Sequence, residues 1–349
     1  MVGVIEKIDL TFKMFFDSRL RKDIKAFKYA VDGYNSYGWE LCKEVEIVDM
    51  LKKGSTIEEI MKVKKIKNKE FLECLLDFLV GCKTLKYEND KYYFVKDPGP
   101  FLGKKYKFLE KFYPKSVLWT NILRKKAKKT LLTGKKPFYT GFDNKRFLKL
   151  WDGLMRESPW SFRKIAIQKF CKKIKDGAKI LDLGCGSGVS IEQILFECNK
   201  PIYITGIDNS KTSLEEADRL MKKLYKEIKN PITKENIKHV KLLKYDLSKN
   251  FPKNEKYDVV FMSLLVHHIP KEKRYSFFRN VKKLLKNEGL VVVYQIIHKS
   301  KFERAPMWVM HVIPSHQEYP FKNEYLKMFY EIFSDVKYYL DGNIVIAKK

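Results

Sequence analysis

The sequence predicts an α/β chain in which a mainly parallel sheet ends in an antiparallel hairpin and follows a smaller α+β unit. Three observations predict it. Ala178 to Gly188 reads as an apolar strand that meets an acid, Asp182, then turns through Gly184, Gly186 and Gly188 into a helix. Further apolar runs follow at intervals, with Asp208 and Asp246 at the ends of two of them. Near the C-terminus, Asp341-Gly342 joins two alternating apolar runs, a strong hairpin signal.

Each strand has its own evidence. Pro201 to Asp208, His239 to Asp246, Tyr257 to Ser263 and Gly289 to Ile297 are short, β-branched and apolar, the pattern of buried strands. Asn323 to Phe333 reads as a helix ahead of the terminal hairpin. The glycine spacing is not the dinucleotide pattern, which sets its last glycine one residue later to admit a pyrophosphate. A tighter turn, with Asp182 inside the strand, suits a nucleoside ligand without phosphates. Ligands of such sheets sit outside the carboxyl ends of the strands.

The segment from Asp182 to Gly188 resembles the first motif of the class I S-adenosylmethionine-dependent methyltransferases. That resemblance implies a Rossmann-like seven-stranded methyltransferase sheet and S-adenosyl-L-methionine as cofactor. It also implies the cofactor residues: Asp182, Gly184, Cys185, Gly186 and Gly188 around the turn, Asp208 and Asn209 at the ribose, Asp246 and Leu247 at the adenine, and Ser263 beside the methyl donor.

From Trp39 to Val95 the chain reads as three helices and a hairpin, the order of a winged helix. Trp39 to Leu51 is a helix stopped by Gly54, Ser55 to Glu58 reads as a capping box, and Lys69 to Val80 carries an apolar face. A hairpin turns about Asn89-Asp90. Glu70, Glu73 and Asp77 on the third helix would repel phosphate, so a protein–protein role is favoured over DNA binding.

The layout resembles the winged-helix small-molecule O-methyltransferases, in which this module forms the homodimer and lends residues to the partner's active site. The connector around Thr133-Gly134, Phe138, Phe147 and Met155 carries the same resemblance. The expected organisation is a helical extension over 1–38, a winged-helix-like dimerisation domain over 39–97, a basic helical connector over 98–160 and a cofactor-binding catalytic domain over 161–349.

Composition narrows the function. The longest apolar runs are about eight residues, far short of a membrane span, and no export signal is visible, so a cytoplasmic protein is expected. Six cysteines without metal-ligand spacing read as reduced thiols, and no metal is expected. The net charge is +29, and residues 101–150 concentrate it, with 15 Lys and Arg against 2 acids. A solvated lysine surface explains this as well as an anionic substrate, an acidic partner or a membrane surface does.

Just past the strand ending at Ser263 come His267 and His268, on the loop that faces the donor methyl. A hydroxyl or thiol acceptor needs its proton removed, and histidine is suited to that. The resemblance implies His267 as the base and Glu318 as an acid orienting it. The family's second acid falls where this chain has Gln295, which favours acceptors that ionise easily, such as a thiol or an activated ring carbon. Trp151, Met155, His268, Met307, Trp308 and His311 are expected to line an apolar acceptor pocket.

The leading expectation is therefore a homodimeric methyltransferase acting on a small aromatic or apolar molecule, anionic ones included. Two alternatives stand beside it. One is a macromolecule methyltransferase docking RNA or protein on 101–150. An Asn/Asp-Pro-Pro-aromatic loop, usual for base methylation, is replaced here by Ser263-Leu-Leu. The other is a ligand sensor that has kept the fold without turnover.

Overall fold

The computed structural model describes residues 17–137, 142–249, 251–252, 255–303 and 308–349. Phe138 and Met307 lie outside the described residues, as do the first 16 residues of the expected extension. The chain divides into two units. One contains Arg21–Gly141 and Ile297–His316, and the other Phe142–Ile296 and Gln317–Lys349, with the start of the first helix up to Leu20.

In the first unit, α1 (Ser18–Glu44) is followed by α2 (Val48–Lys53), α3 (Ile57–Lys64) and α4 (Lys69–Gly81). Strands β1 (Leu85–Glu88) and β2 (Lys91–Phe94) come next, then α5 (Lys104–Phe112) and α6 (Pro114–Thr133). Helix α1 runs without a break through the boundary expected at residue 38, and the helix expected up to Leu51 is interrupted after Glu44.

The capping box lies one residue later than expected. Thr56 accepts from the Glu59 amide at 3.1 Å, and Glu59 accepts from the Thr56 amide at 2.8 Å. Ser55 is unavailable as cap because its backbone pairs in both directions with Tyr92. Asn68 caps α4 by accepting from the Phe71 amide at 3.0 Å. The β1–β2 turn has Asn89 and Asp90 both at positive φ, as a tight hairpin requires. Asp77 is not a surface acid: it is fully buried and accepts from the Tyr92 hydroxyl at 2.6 Å. That bond satisfies a polar group that would otherwise be costly inside the helix–hairpin core.

The second unit holds the seven-stranded sheet. Its strands are β3 (Ala178–Leu183), β4 (Ile202–Asp208), β5 (Val240–Lys244), β6 (Tyr257–Ser263), β7 (Leu285–Tyr294), β8 (Ser334–Tyr339) and β9 (Ile344–Lys348). The order is β5-β4-β3-β6-β7-β9-β8, with β9 antiparallel to both neighbours and the remaining pairs parallel. The expected fold is thus present, including the terminal hairpin about Asp341-Gly342. The central strands are buried on both faces, which explains their nearly unbroken apolar runs. From β3 the chain moves outward to β4 and β5, then returns to β6 on the other side of β3. The carboxyl ends of β3 and β6 therefore form the crevice where ligands of such sheets bind.

Helices α7 (Lys145–Met155) and α8 (Ser158–Cys171) precede β3, and α9 (Val189–Glu197) follows it. Helices α10 (Lys211–Glu227) and α11 (Pro231–Lys238) link β4 to β5, α12 (Arg274–Leu284) runs straight into β7, and α13 (Lys322–Ile332) precedes β8. Cys171 at the end of α8 and Cys198 just past α9 form a disulfide, with Cα atoms 5.3 Å apart. This corrects the expectation of six reduced thiols. The two helix ends meet only in the folded chain, and a separation of 27 residues carries no local signal. Cys42, Cys74, Cys82 and Cys185 form no disulfide. Alkylation of the unfolded chain without reductant should therefore modify four cysteines by mass spectrometry, and six after reduction; six without reductant would contradict the pairing.

Candidate functional site

The glycine turn after β3 is held by its neighbour strand. The amides of Gly184 and Cys185 both donate to the Ile207 carbonyl, at 2.8 and 3.1 Å. The Gly186 amide donates to Asp208 Oδ2 at 3.0 Å. Gly184, at φ +70°, lies so close to Leu265 that a Cβ there would fall 2.8 Å from its side chain. A Cβ on Gly186, at φ +54°, would meet nothing within 4 Å, so the turn faces open space at its tip. Cys185 contributes its backbone, and its buried thiol is held in the neutral form by burial and by the carboxylates of Asp182 and Asp208.

Asp208 lies at the end of β4 and also accepts the Ser210 amide at 2.9 Å. Burial raises its carboxyl above the usual range, and the amides of Ser210, Gly186 and Asn209 oppose that rise. The Asn209 side chain is exposed. Asp182 is fully buried beneath the turn, where Ser190 donates to Oδ2 and Oδ1 has no hydrogen-bond partner. Burial pushes this carboxyl up to about 7, against the effects of Ser190 and Arg163.

Strand β5 ends at Lys244, so Asp246 lies two residues beyond it rather than at its end. Its loop is tied to Asp208, because the Tyr245 amide donates to the Asp208 carbonyl at 2.9 Å. Asp246 accepts from the hydroxyl and amide of Ser248, which hold its carboxyl below the usual range. Leu247 follows it, half-buried. At the end of β6, Ser263 Oγ is buried without a hydrogen-bond partner. The structure thus gathers Asp182, the glycine turn, Asp208, Asp246 and Ser263 around one crevice.

Two acids were not foreseen. Asp152 on α7 accepts from Ser187 Oγ in the turn, and burial pushes its carboxyl up to about 6. Asp143 accepts from Ser210 Oγ at 2.7 Å. Their partners stand 35 and 67 residues away, beyond the reach of any local motif. The ion pair of Arg156 with Glu192 and the Arg163 bond to Gln193 at 2.7 Å tie α7 and α8 to α9 behind the turn.

After Ser263, Leu264 takes a positive φ of 54° and donates its amide to the Tyr294 carbonyl at 2.8 Å. Such a conformation is costly for leucine and marks a loop over-determined by its surroundings. His267 and His268 then lie in a 3-10 turn, Val266–His268. Pro270 precedes a second short turn, Lys271–Lys273, and α12 starts only at Arg274, later than expected. The buried Arg274 donates to the carbonyls of Ile269, at 3.1 Å, and Glu318, pinning the loop to the segment before α13.

His267 is 1 % exposed. Its Nδ1 faces Gln295, whose Nε2 is 3.1 Å and Oε1 3.4 Å away. Burial, then the neighbouring His268, hold its pKa well below the usual 6.5, so the ring is neutral. The Glu318 carbonyl accepts from Arg274, and its carboxylate acts on the same guanidinium. In the same segment the Gln317 amide lies 2.9 Å from the His267 carbonyl and the Tyr319 ring 4.9 Å from the His267 ring, centroid to centroid. The Gln295 amide thus meets the His267 ring at the position where the resemblance places an acid.

Aromatic rings run in series from this loop. His267 and His268 are 4.1 Å apart, Phe142 packs edge-on to His268 at 5.9 Å, and Trp151 meets Phe142 at 5.3 Å. Met155 is buried behind them, its carbonyl accepting from Arg163 at 3.1 Å. Trp308 and His311 lie in the core of the N-terminal unit. Trp308 donates to the Tyr34 carbonyl at 3.2 Å, and both rings stack on Phe71 of α4. They are buried because they complete that core. Among the described residues, no group of three or more His, Cys, Asp or Glu could hold a metal ion.

A family profile described as a methyltransferase domain matches residues 180–289, the stretch that builds this crevice. Residues 180–289 thus carry a methyltransferase domain. The methyl donor is S-adenosylmethionine. The chain is 31% identical over 131 residues to (S)-coclaurine N-methyltransferase of Papaver somniferum, a match covering 37% of this chain and about a third of that relative. Among solved structures, the CurJ carbon methyltransferase superposes with a TM-score of 0.67 at 15% identity, covering 99% of this chain and 98% of the other. An O-methyltransferase family 2 protein from Planctomyces limnophilus, in complex with apigenin, superposes at 0.56 with 13% identity, covering 95% and 96%. At these identities the two superpositions show a shared fold. These three proteins are named for nitrogen, carbon and oxygen methylation.

The residues fit the donor. An acid at the end of β4 retains acceptor capacity for a ribose, the tip of the turn has room at Gly186, and Asp182 Oδ1 and Ser263 Oγ lack partners. The raised carboxyl of Asp182 also has a consequence for stability. The native state binds its proton more tightly than the unfolded chain does, so stability falls as pH rises from about 4 to about 7, by at most about 1.4 kcal/mol per pH unit. Urea midpoints of the ligand-free chain at pH 5 and pH 7.5 should differ less in Asp182→Asn than in wild type. Equal differences would contradict the raised carboxyl.

Proposed function

We propose that the chain is an S-adenosylmethionine-dependent methyltransferase acting on a small aromatic or apolar acceptor. The observation that carries this is the placement of the ring series Trp151–Phe142–His268–His267–Tyr319. It begins on the loop whose Leu265 packs against the glycine turn. A planar acceptor on those rings would lie beside the donor crevice, as an in-line displacement requires.

When bound, S-adenosylmethionine supplies a methyl group on an electron-poor sulfur. The residues of this chain orient the two reactants. Asp208 takes the ribose hydroxyls, Asp246 and Leu247 flank the adenine, and the amides of the turn border the rest of the donor. Ser263 and the His267 loop separate donor from acceptor. The acceptor atom is a hydroxyl oxygen, a thiol or an activated carbon. A neutral, buried His267 held by an amide favours the acidic members of that set, such as phenol-type hydroxyls. We further infer a cytoplasmic homodimer formed through the N-terminal unit, in keeping with the resemblance of its helix and hairpin order. Among the described residues no helix is long and apolar enough to cross a membrane.

Calorimetry with S-adenosylmethionine and S-adenosylhomocysteine tests the proposal. Wild type should bind both, Asp208→Ala should bind at least ~10-fold more weakly, a loss of about 1.4 kcal/mol, and a screen of phenols, thiols and carbon acids should then yield turnover. Absence of binding by folded wild type would refute it.

A further inference from the structure

We infer that Gln295 fixes His267 as the tautomer carrying its proton on Nε2, so that the ring meets the acceptor as a hydrogen-bond donor to an oxyanion instead of as a base. The role toward an acceptor rests on the methyltransferase proposal. The tautomer rests on the geometry of this chain alone.

The Gln295 amide cannot be reversed. Its Oε1 accepts from the Val266 backbone amide at 3.0 Å, and its Nε2 donates to the Ile296 carbonyl at 2.9 Å. Both partners are backbone groups of fixed polarity. Exchanging the two ends of the side chain would set NH₂ against N–H and oxygen against oxygen. With the orientation fixed, the second hydrogen of the NH₂ group faces His267 Nδ1 at 3.1 Å. A nitrogen that receives a hydrogen bond carries a lone pair, so the ring proton resides on Nε2. The alternative, Nδ1–H donating to Oε1, spans 3.4 Å to an oxygen already engaged by Val266, and it would press a second hydrogen toward the NH₂ group.

A general base ends its step as imidazolium, with hydrogens on both nitrogens, and here the Nδ1 hydrogen would meet an N–H donor. Burial and His268 oppose the same charge. A carboxylate at position 295 would act the other way, accepting from Nδ1–H and leaving a lone pair on Nε2. The acceptor class that follows is one that ionises on its own, an enolate or phenolate whose proton has already passed to solvent. The Nε2–H stabilises its oxygen. The acceptor's electron pair forms the new bond to the methyl carbon, and the pair of the broken carbon–sulfur bond stays on sulfur as a neutral thioether.

The test is nitrogen NMR of the chain labelled at its six histidines, with the His267 signals assigned by their loss in His267→Gln. At pH 7.5 the wild type should show a pyridine-type Nδ1 and a pyrrole-type Nε2. In Gln295→Glu, Nδ1 should become pyrrole-type. A pyrrole-type Nδ1 or a charged ring in the wild type would overturn the inference, and that spectrum decides even if Gln295→Glu fails to fold. The expected tautomer in a protein that binds no S-adenosylmethionine would refute the proposed function and leave Gln295's positioning role intact.

Discussion

The candidate site depends on how the end of β4 holds the turn after β3. Ile207 offers one carbonyl to two successive amides, and Asp208 reaches across with its carboxylate to a third. These bonds let three residues with positive φ, Gly184, Gly186 and Gly188, form a turn that would be unstable alone. Parallel pairing of Ala178–Leu183 with Ile202–Ile207 sets the two strand ends level, so the contact needs no adjustment elsewhere. The same carboxylate stays near the crevice with acceptor capacity to spare. One acid thus shapes the turn and faces the space beyond it.

The far wall of the crevice is over-determined in a different way. Leu264 is held at positive φ by its bond to Tyr294, Arg274 clamps the loop to the Glu318 carbonyl, and Gln295 bonds both Val266 and His267. A loop restrained at so many points presents one arrangement of its imidazole. Pre-organised hydrogen bonds of this kind stabilise developing charge without reorganising. An amide in the role of orienting group makes the imidazole a fixed donor, and this moves the burden of ionisation onto the acceptor.

Much of the sheet was legible because its strands are apolar runs closed by acids or glycines, and the pattern repeats within about 170 residues. The glycine turn and its acids were legible for the same reason, since strand, turn and helix are contiguous. What stayed hidden was set by distant partners. Ser55 looks like a helix cap until Tyr92 claims its backbone. Asp77 looks like a surface acid until the Tyr92 hydroxyl reaches it. Asp152 and Asp143 have no signature at all, because Ser187 and Ser210 arrive only with the fold. Trp308 and His311 come after β7 in sequence yet pack with Phe71 and Tyr34. Local pattern identifies elements; it does not say which core an aromatic residue joins.

The most direct measurement is a crystal structure of the chain with S-adenosylhomocysteine. The ribose hydroxyls should lie on the Asp208 carboxylate, with its bond to the Gly186 amide retained and the sulfur toward the Ser263–His267 loop. A nucleoside bound away from Asp208, or an Asp208 turned wholly into the glycine turn with no ligand beside it, would contradict the account.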